Sequence, residues 1–242
     1  MRRKLPIIII IGALLAALAG GALLMRPSQT STPSTPASNS TQTPPRATNP
    51  PGALTPGPVA ARVAMVAPGT HLRGRSDAPV LLEEYADFQC PPCGFVHPIL
   101  KRLEGEYATQ LRVAFHHFPI RNIHKHAGEA ARAAEAAGLQ GKFWQMHDLL
   151  FEKQNEWKDV PTARPLFLTY ARTLGLNLEK FTQDIDSTAM SNRVMNDENS
   201  GSARGVTGTP AMFLNGRELA FEEITNYNTL RALIEREIAA KK

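Results

Sequence analysis

The sequence predicts an α/β domain in which a block of helices is inserted into a small sheet. Three observations carry that reading. Val80-Leu81-Leu82, followed by Tyr85-Ala86, has the length and composition of a buried strand. It leads through Phe88-Gln89-Cys90-Pro91-Pro92-Cys93 into apolar residues spaced as one helix face: Phe95, Val96, Ile99, Leu100 and Leu103. Late in the chain the pattern changes to short apolar runs around Asn215-Gly216, a dipeptide suited to a type I′ hairpin turn.

Ahead of that domain, Met1-Arg2-Arg3-Lys4 is followed by 21 uncharged residues from Leu5 to Met25, enough to span a bilayer as a helix. The basic flank predicts that everything after Met25 lies outside the cytoplasm. Residues 1–26 are therefore expected to be a membrane anchor. Cleavage as a signal peptide, after the small-x-small sequence Ala17-Leu18-Ala19, is the alternative. It is less favoured because apolar residues continue through Leu23, Leu24 and Met25. No cysteine follows the apolar segment, which argues against a lipoprotein. Residues 27–61 are rich in Pro, Ser and Thr, with nine prolines, and cannot bury enough surface to offset their ordering entropy. They are expected to be a linker spanning on the order of 30 Å.

The folded domain is expected over residues 62–242. Val63–Val66 reads as a short lead-in strand, residues 69–78 as loop, and Val80–Ala86 as the central strand. A helix is predicted over about Pro92–Ala108, kinked near His97-Pro98 because proline removes a backbone donor. Leu111–His116 is a second strand. A helical insertion occupies about residues 122–204, with helices over Lys125–Gly138, Lys142–Gln154, Thr162–Leu174, Leu178–Met190 capped by Asn177, and Arg193–Arg204. The hairpin Ala211–Ala220 and a helix over Tyr227–Ala240 complete the domain.

Charge and cysteine content narrow the function. Five basic residues, and no acidic ones, precede position 61. The remainder carries 22 basic against 22 acidic residues, so the basic pI of 9.4 belongs to the N-terminal segment and gives no reason to invoke nucleic acid. The two cysteines, spaced C-x-x-C, exclude a disulfide-stapled scaffold. At a strand-to-helix junction Cys90 lies where unpaired N–H groups and the helix dipole favour a thiolate. That effect alone lowers a thiol pKa by about 0.2–1.5. Cys93, one turn further in, is placed to act as the resolving thiol of a dithiol–disulfide pair.

These residues resemble a known family. Asp77-Ala78-Pro79-Val80, Glu84-Tyr85-Ala86-Asp87-Phe88-Gln89-Cys90-Pro91, Phe115-His116-His117-Phe118-Pro119, Gly141-Lys142-Phe143-Trp144 and Gly205-Val206-Thr207-Gly208-Thr209-Pro210 are similar to stretches of the DsbA-like extracytoplasmic thiol–disulfide oxidoreductases. The resemblance covers about residues 67–240 and implies a thioredoxin-like fold with a helical insertion. It makes Cys90 the nucleophile, Cys93 the resolving thiol and Pro210 a cis-proline facing them. Thr209 would offer backbone groups to an extended substrate segment. Pro91 and Pro92 would border the same substrate site. Glu84, six residues before Cys90, would be the buried acid that exchanges a proton with Cys93. Strand alternation sends Glu83 to the opposite face.

The implied activity is disulfide exchange with substrate proteins carrying cysteine pairs, with no metal or organic cofactor. The implied partner for re-oxidation is a quinone-linked membrane oxidase. Strongly oxidising relatives typically carry histidine before the second cysteine, where this chain has Pro92. Proline supplies neither a cation nor an amide to the thiolate, so a weaker oxidant is expected, with reductase or isomerase work as the alternative direction. Compartment poise favours an oxidase in the cell envelope.

Other readings of the same residues are bland or of another class. A C-x-x-C bridge closes too short a loop to be mainly structural, and haem attachment would need histidine where Gly94 stands. Cys90, Cys93 and His97 share a helical face, so a metal-binding chaperone is the alternative from another class. Of His116 and His117 at most one is expected to face the core. His124 and His126 read as solvated, and His147 as packed. The methionines are too scattered for a copper site.

Overall fold

The computed structural model describes residues 69–241. The expected anchor, linker and Val63–Val66 strand lie outside the described residues. Among those described, no helix is long and apolar enough to cross a membrane.

A five-stranded sheet forms the centre: β1 (His71–Arg73), β2 (Val80–Ala86), β3 (Leu111–His117), β4 (Ala211–Leu214) and β5 (Arg217–Glu218), in the order β1-β3-β2-β4-β5. β2 runs parallel to β3, from Val80 opposite Leu111 to Ala86 opposite His117, and antiparallel to β4. Every residue of β2 and β3 is buried, as expected of strands covered on both faces. Helix α1 (Pro91–Glu106) connects the two strands. Its Val96, Leu100 and Leu103 pack with Val80, Leu82, Leu111 and Val113, and with Leu230 and Ile234 of α9 (Tyr227–Ala239).

The insertion contributes α2 (Ala127–Gly138), α3 (Phe143–Glu152), α4 (Gln154–Trp157), α5 (Arg164–Thr173), α6 (Leu178–Ile185) and α7 (Thr188–Ala203). Helices α2 to α6 build a second core around Phe88, Phe115, Met146, Leu150, Trp157 and Phe167. A short helix, α8 (Phe221–Thr225), precedes α9.

Several elements differ from the sequence expectation. His71–Arg73, read as loop, is an edge strand paired antiparallel with Val113–Phe115. It carries too few residues to show a period of its own. The helix expected over 178–190 is two, because Ser187 takes extended backbone and its hydroxyl oxygen accepts from Met190 N at 3.2 Å. Arg132 Nε donates to the Ile185 carbonyl at 2.9 Å, which satisfies the end of α6. Helix α1 begins at Pro91 and runs unbroken through Pro98, which is exposed.

His116 and His117 are both buried. His117 lies on the face of Phe115. His116 lies on the other, stacked on Tyr85 with centroids 4.5 Å apart, a face that α7 covers. His126 is buried too, its Nε2 2.8 Å from the Val160 carbonyl oxygen. The Asn215-Gly216 turn has φ of 47° and 85°, as a type I′ turn requires.

Gly201 lets α7 close on the sheet, since a Cβ there would stand 2.9 Å from both the Phe118 and Tyr85 rings. Gly201→Ala should therefore destabilise the domain by about 1–3 kcal/mol, measured as a lower midpoint in chemical denaturation.

Candidate functional site

The turn that ends β2 places Cys90. Asp87 is buried, and its carboxylate accepts from Gln89 N at 2.7 Å, Ile120 N at 2.8 Å and His124 Nδ1 at 2.7 Å. The Cys90 N–H closes the turn on the Asp87 carbonyl at 3.1 Å. Cys90 thereby becomes the N-cap of α1 with extended backbone, and Pro91 and Pro92 take the first two helical positions. Prolines fit there because first-turn amides have no intrahelical acceptor.

The insertion holds this turn from the other side. Gln154, buried at the start of α4, donates from Nε2 to the Phe88 carbonyl at 2.7 Å and the Cys90 carbonyl at 2.9 Å. Gln89 Oε1 accepts from His126 N at 2.7 Å, and Gln89 Nε2 donates to the Lys158 carbonyl. Sequence reasoning missed Gln154, and its remoteness in the chain left no signal. Asp87 and Gln89 lay inside the quoted motif, although no role was drawn for them.

Both cysteines are free thiols and buried, Cys90 4 % exposed and Cys93 fully enclosed. Their environments divide their acidities. A hydrogen bond from the Cys93 thiol, against the opposing effect of burial, with smaller contributions from Thr209 and the Cys93 amide, pulls the Cys90 pKa down to about 6. The depression is larger than a helix N-terminus supplies, because specific donors add to it. Burial first, and then the Cys90 sulfur, raise Cys93 well above the ordinary thiol value.

Glu84 is buried on the α1 face of β2. Burial, reinforced by the charge of Glu104, pushes its pKa up to about 8, and its charge is felt at Cys93. Glu83 faces the other way, where Arg204 grips both its oxygens at 2.8 and 2.9 Å.

From the far end of the chain, Thr209-Pro210 enters as a cis peptide. The Cys90 thiol donates to the Thr209 carbonyl at 3.3 Å, so this segment adjoins the sulfur. Pro91 is exposed and Pro92 half-buried at the mouth of the site. Pro91 also borders a cleft of about 550 Å³, with Phe95, Pro98 and Phe151. His97 does not join the cysteines. Its nearest potential metal-binding neighbours are His147 and Asp148, so a Cys90–Cys93–His97 cluster does not form.

A family model described as thioredoxin matches residues 66–236. The chain belongs to the thioredoxin family. Among solved structures, alpha-DsbA1 from Wolbachia pipientis superposes with a TM-score of 0.63 at 19% identity, covering 74% of this chain and 95% of that one. Oxidised BdbD from Bacillus subtilis gives 0.63 at 22% identity, over 71% and 94%. DsbA2 from Pseudomonas aeruginosa gives 0.54 at 22% identity, over 71% and 96%. The chain thus has a DsbA-like thioredoxin fold.

Similarity also extends to chains named for another activity. A Na(+)/H(+) antiporter, NhaA 3 of Salinispora tropica, is 40% identical over 147 residues, 61% of this chain and 22% of that protein. NhaA 1 of Mycolicibacterium vanbaalenii is 39% identical over 150 residues, 60% and 23%. The chain therefore spans about a fifth of the length of these relatives.

Two titrations follow from the site. Alkylation of the reduced protein should rise with pH about a midpoint near 6, and Cys90→Ser should abolish that phase. A midpoint near 9 would contradict the geometry. Glu84, with a folded pKa near 8 against an ordinary 4.5, holds its proton more tightly when folded. Its contribution to stability is complete below pH 4.5 and is lost progressively as pH rises from there through 8. Glu84→Gln should therefore match wild type at pH 4 and exceed it by about 3 kcal/mol at pH 7, measured by denaturation at each pH.

Proposed function

We propose that the protein is an extracytoplasmic thiol–disulfide oxidoreductase that works as a dithiol oxidase on substrate proteins. The observation that carries this is the divided acidity of Cys90 and Cys93 in one buried pair. With the pair closed as a disulfide, a substrate thiolate attacks Cys90 Sγ and breaks the Cys90–Cys93 bond. Cys93 departs with the electron pair and takes a proton from Glu84. A second substrate thiolate then attacks the substrate sulfur of the mixed disulfide and releases Cys90 as a thiolate. Two substrate thiols are oxidised and the pair is reduced by two electrons. A low Cys90 pKa makes it a good leaving group in the last step.

Thr209 supports a substrate-binding role for its segment, because its carbonyl adjoins Cys90 where an extended chain would pair. Pro210, Pro91 and Pro92 border the same place. Residues 1–26 would tether the domain to the outer face of a membrane, with 27–61 as the spacer. A quinone-linked membrane oxidase would restore the disulfide.

Pro92 favours a second direction, reduction or isomerisation. It occupies the second helical position, where another residue would present an amide to the first turn. Each pKa unit by which Cys90 is less acidic weakens the oxidant by about 1.4 kcal/mol, or about 30 mV.

Cys90→Ser should abolish oxidation of a reduced, unfolded substrate protein. Full retained turnover would end the mechanism. The equilibrium potential of the wild-type pair against glutathione assigns direction. A value well above the roughly −270 mV of thioredoxin is expected, and one at or below it would make the protein a reductase.

A further inference from the structure

His97 and His147 are the buried titratable groups that the dithiol mechanism leaves unused. His97 projects from α1 one turn after Cys93, and His147 from the middle of α3. One donor atom from each, with a carboxylate oxygen of Asp148, lies within 4.8 Å of the others. His147 Nδ1 is 2.9 Å from Asp148 Oδ1, and His97 Nε2 is 4.0 Å from that same oxygen. Those separations bracket the roughly 3.3 Å between neighbouring ligands of a tetrahedral ion with bonds of about 2.0–2.1 Å.

We propose that His97, His147 and Asp148 form a binding site for a divalent ion of the zinc class, separate from the cysteine pair. The His97 ring carries the sign of a ligand without an ion. Nε2 of His97, the ring nitrogen that faces Asp148, is buried and has no hydrogen-bond partner. A buried, unpaired imidazole nitrogen carries a desolvation penalty that coordination removes.

Access is built in. His97 lines the cleft of about 550 Å³ with Pro98, Lys101, Phe151 and Glu152. A fourth position can open towards that cleft, as in zinc sites with three protein ligands. Two imidazoles and a carboxylate suit zinc better than calcium or magnesium, which prefer oxygen. The opposing charges are Arg73, at 2.9 Å from Asp148 Oδ1, and Lys101, at 2.9 Å from Oδ2. Glu104 offsets Arg73 at 3.0 Å and Glu152 offsets Lys101 at 3.2 Å. The Lys101 side chain is 40 % exposed and can turn to solvent as the ion enters.

The other candidate cluster, His71, His117 and Glu135, is less suited. Both Nε2 atoms are already bonded to Glu135 Oε1, at 2.9 and 2.8 Å, and Arg193 Nε stands 3.7 Å from that oxygen. There both ring nitrogens that face the carboxylate already have a partner, whereas Nε2 of His97 has none.

The test is calorimetric titration of the oxidised full chain with zinc chloride, since a closed Cys90–Cys93 disulfide offers no thiolate. Saturable one-to-one binding is expected, weakened at least tenfold by His97→Gln and by His147→Gln and retained in a Cys90→Ala, Cys93→Ala double variant. Cobalt(II) added to the oxidised wild-type chain should give visible ligand-field bands without a sulfur charge-transfer band. This reading needs no variant to fold. Absence of saturable zinc binding and of cobalt bands in the oxidised protein would overturn the proposal, as would zinc binding unchanged in folded His97→Gln.

Discussion

A single carboxylate, Asp87, holds together the three parts of the chain that meet at the dithiol. Its oxygens take the amide of Gln89 in the turn, the amide of Ile120 after β3 and the ring of His124 ahead of α2. Buried at 1 % exposure, it must have such partners, because an unpaired charge there would be costly to desolvate. The position of Cys90 at the N-cap depends on this turn. The access of Cys90 to Cys93 and Thr209 follows from that position.

Burial then acts on the two sulfurs in opposite ways. Cys90 has donors around it, so its charged form is stabilised even though it is nearly enclosed. Cys93 is enclosed beside the Cys90 sulfur and Glu84 is enclosed with the charge of Glu104 nearby, so burial, first, makes both hold their protons. One low-dielectric site thus holds an acidic thiol beside a reluctant one, with a protonated carboxyl behind it. The insertion contributes rigidity. Gln154 ties two carbonyls of the active-site turn to α4, and Gln89 ties the same turn to the start of α2. Satisfied hydrogen bonds of this kind fix the turn that carries Cys90.

Helix α1 links the dithiol to the histidine and acid cluster below it. The helical rise puts His97 one turn past Cys93, where its ring meets Phe151 and His147 of α3 instead of the sulfurs. The facing helix therefore decides which neighbours the residues of one helical face meet.

Local pattern was enough to determine the central strand, the helix that opens with C-x-x-C, the Asn-Gly hairpin and the terminal helix. Each depends on contacts a few residues apart, through periodicity, capping or turn geometry. The dithiol and the resemblance carried by Glu84, Cys90, Cys93 and Thr209-Pro210 were legible for the same reason, being short motifs. Only tertiary structure decided the rest. The edge strand at His71–Arg73 exists because β3 offers it a partner. His116 and His117 are both interior because α7 covers the second face of the sheet. Gln154 reaches Cys90 across 64 residues, and His97 turns to α3. Each outcome depends on what an element packs against, a non-local quantity that spacing along one chain does not encode.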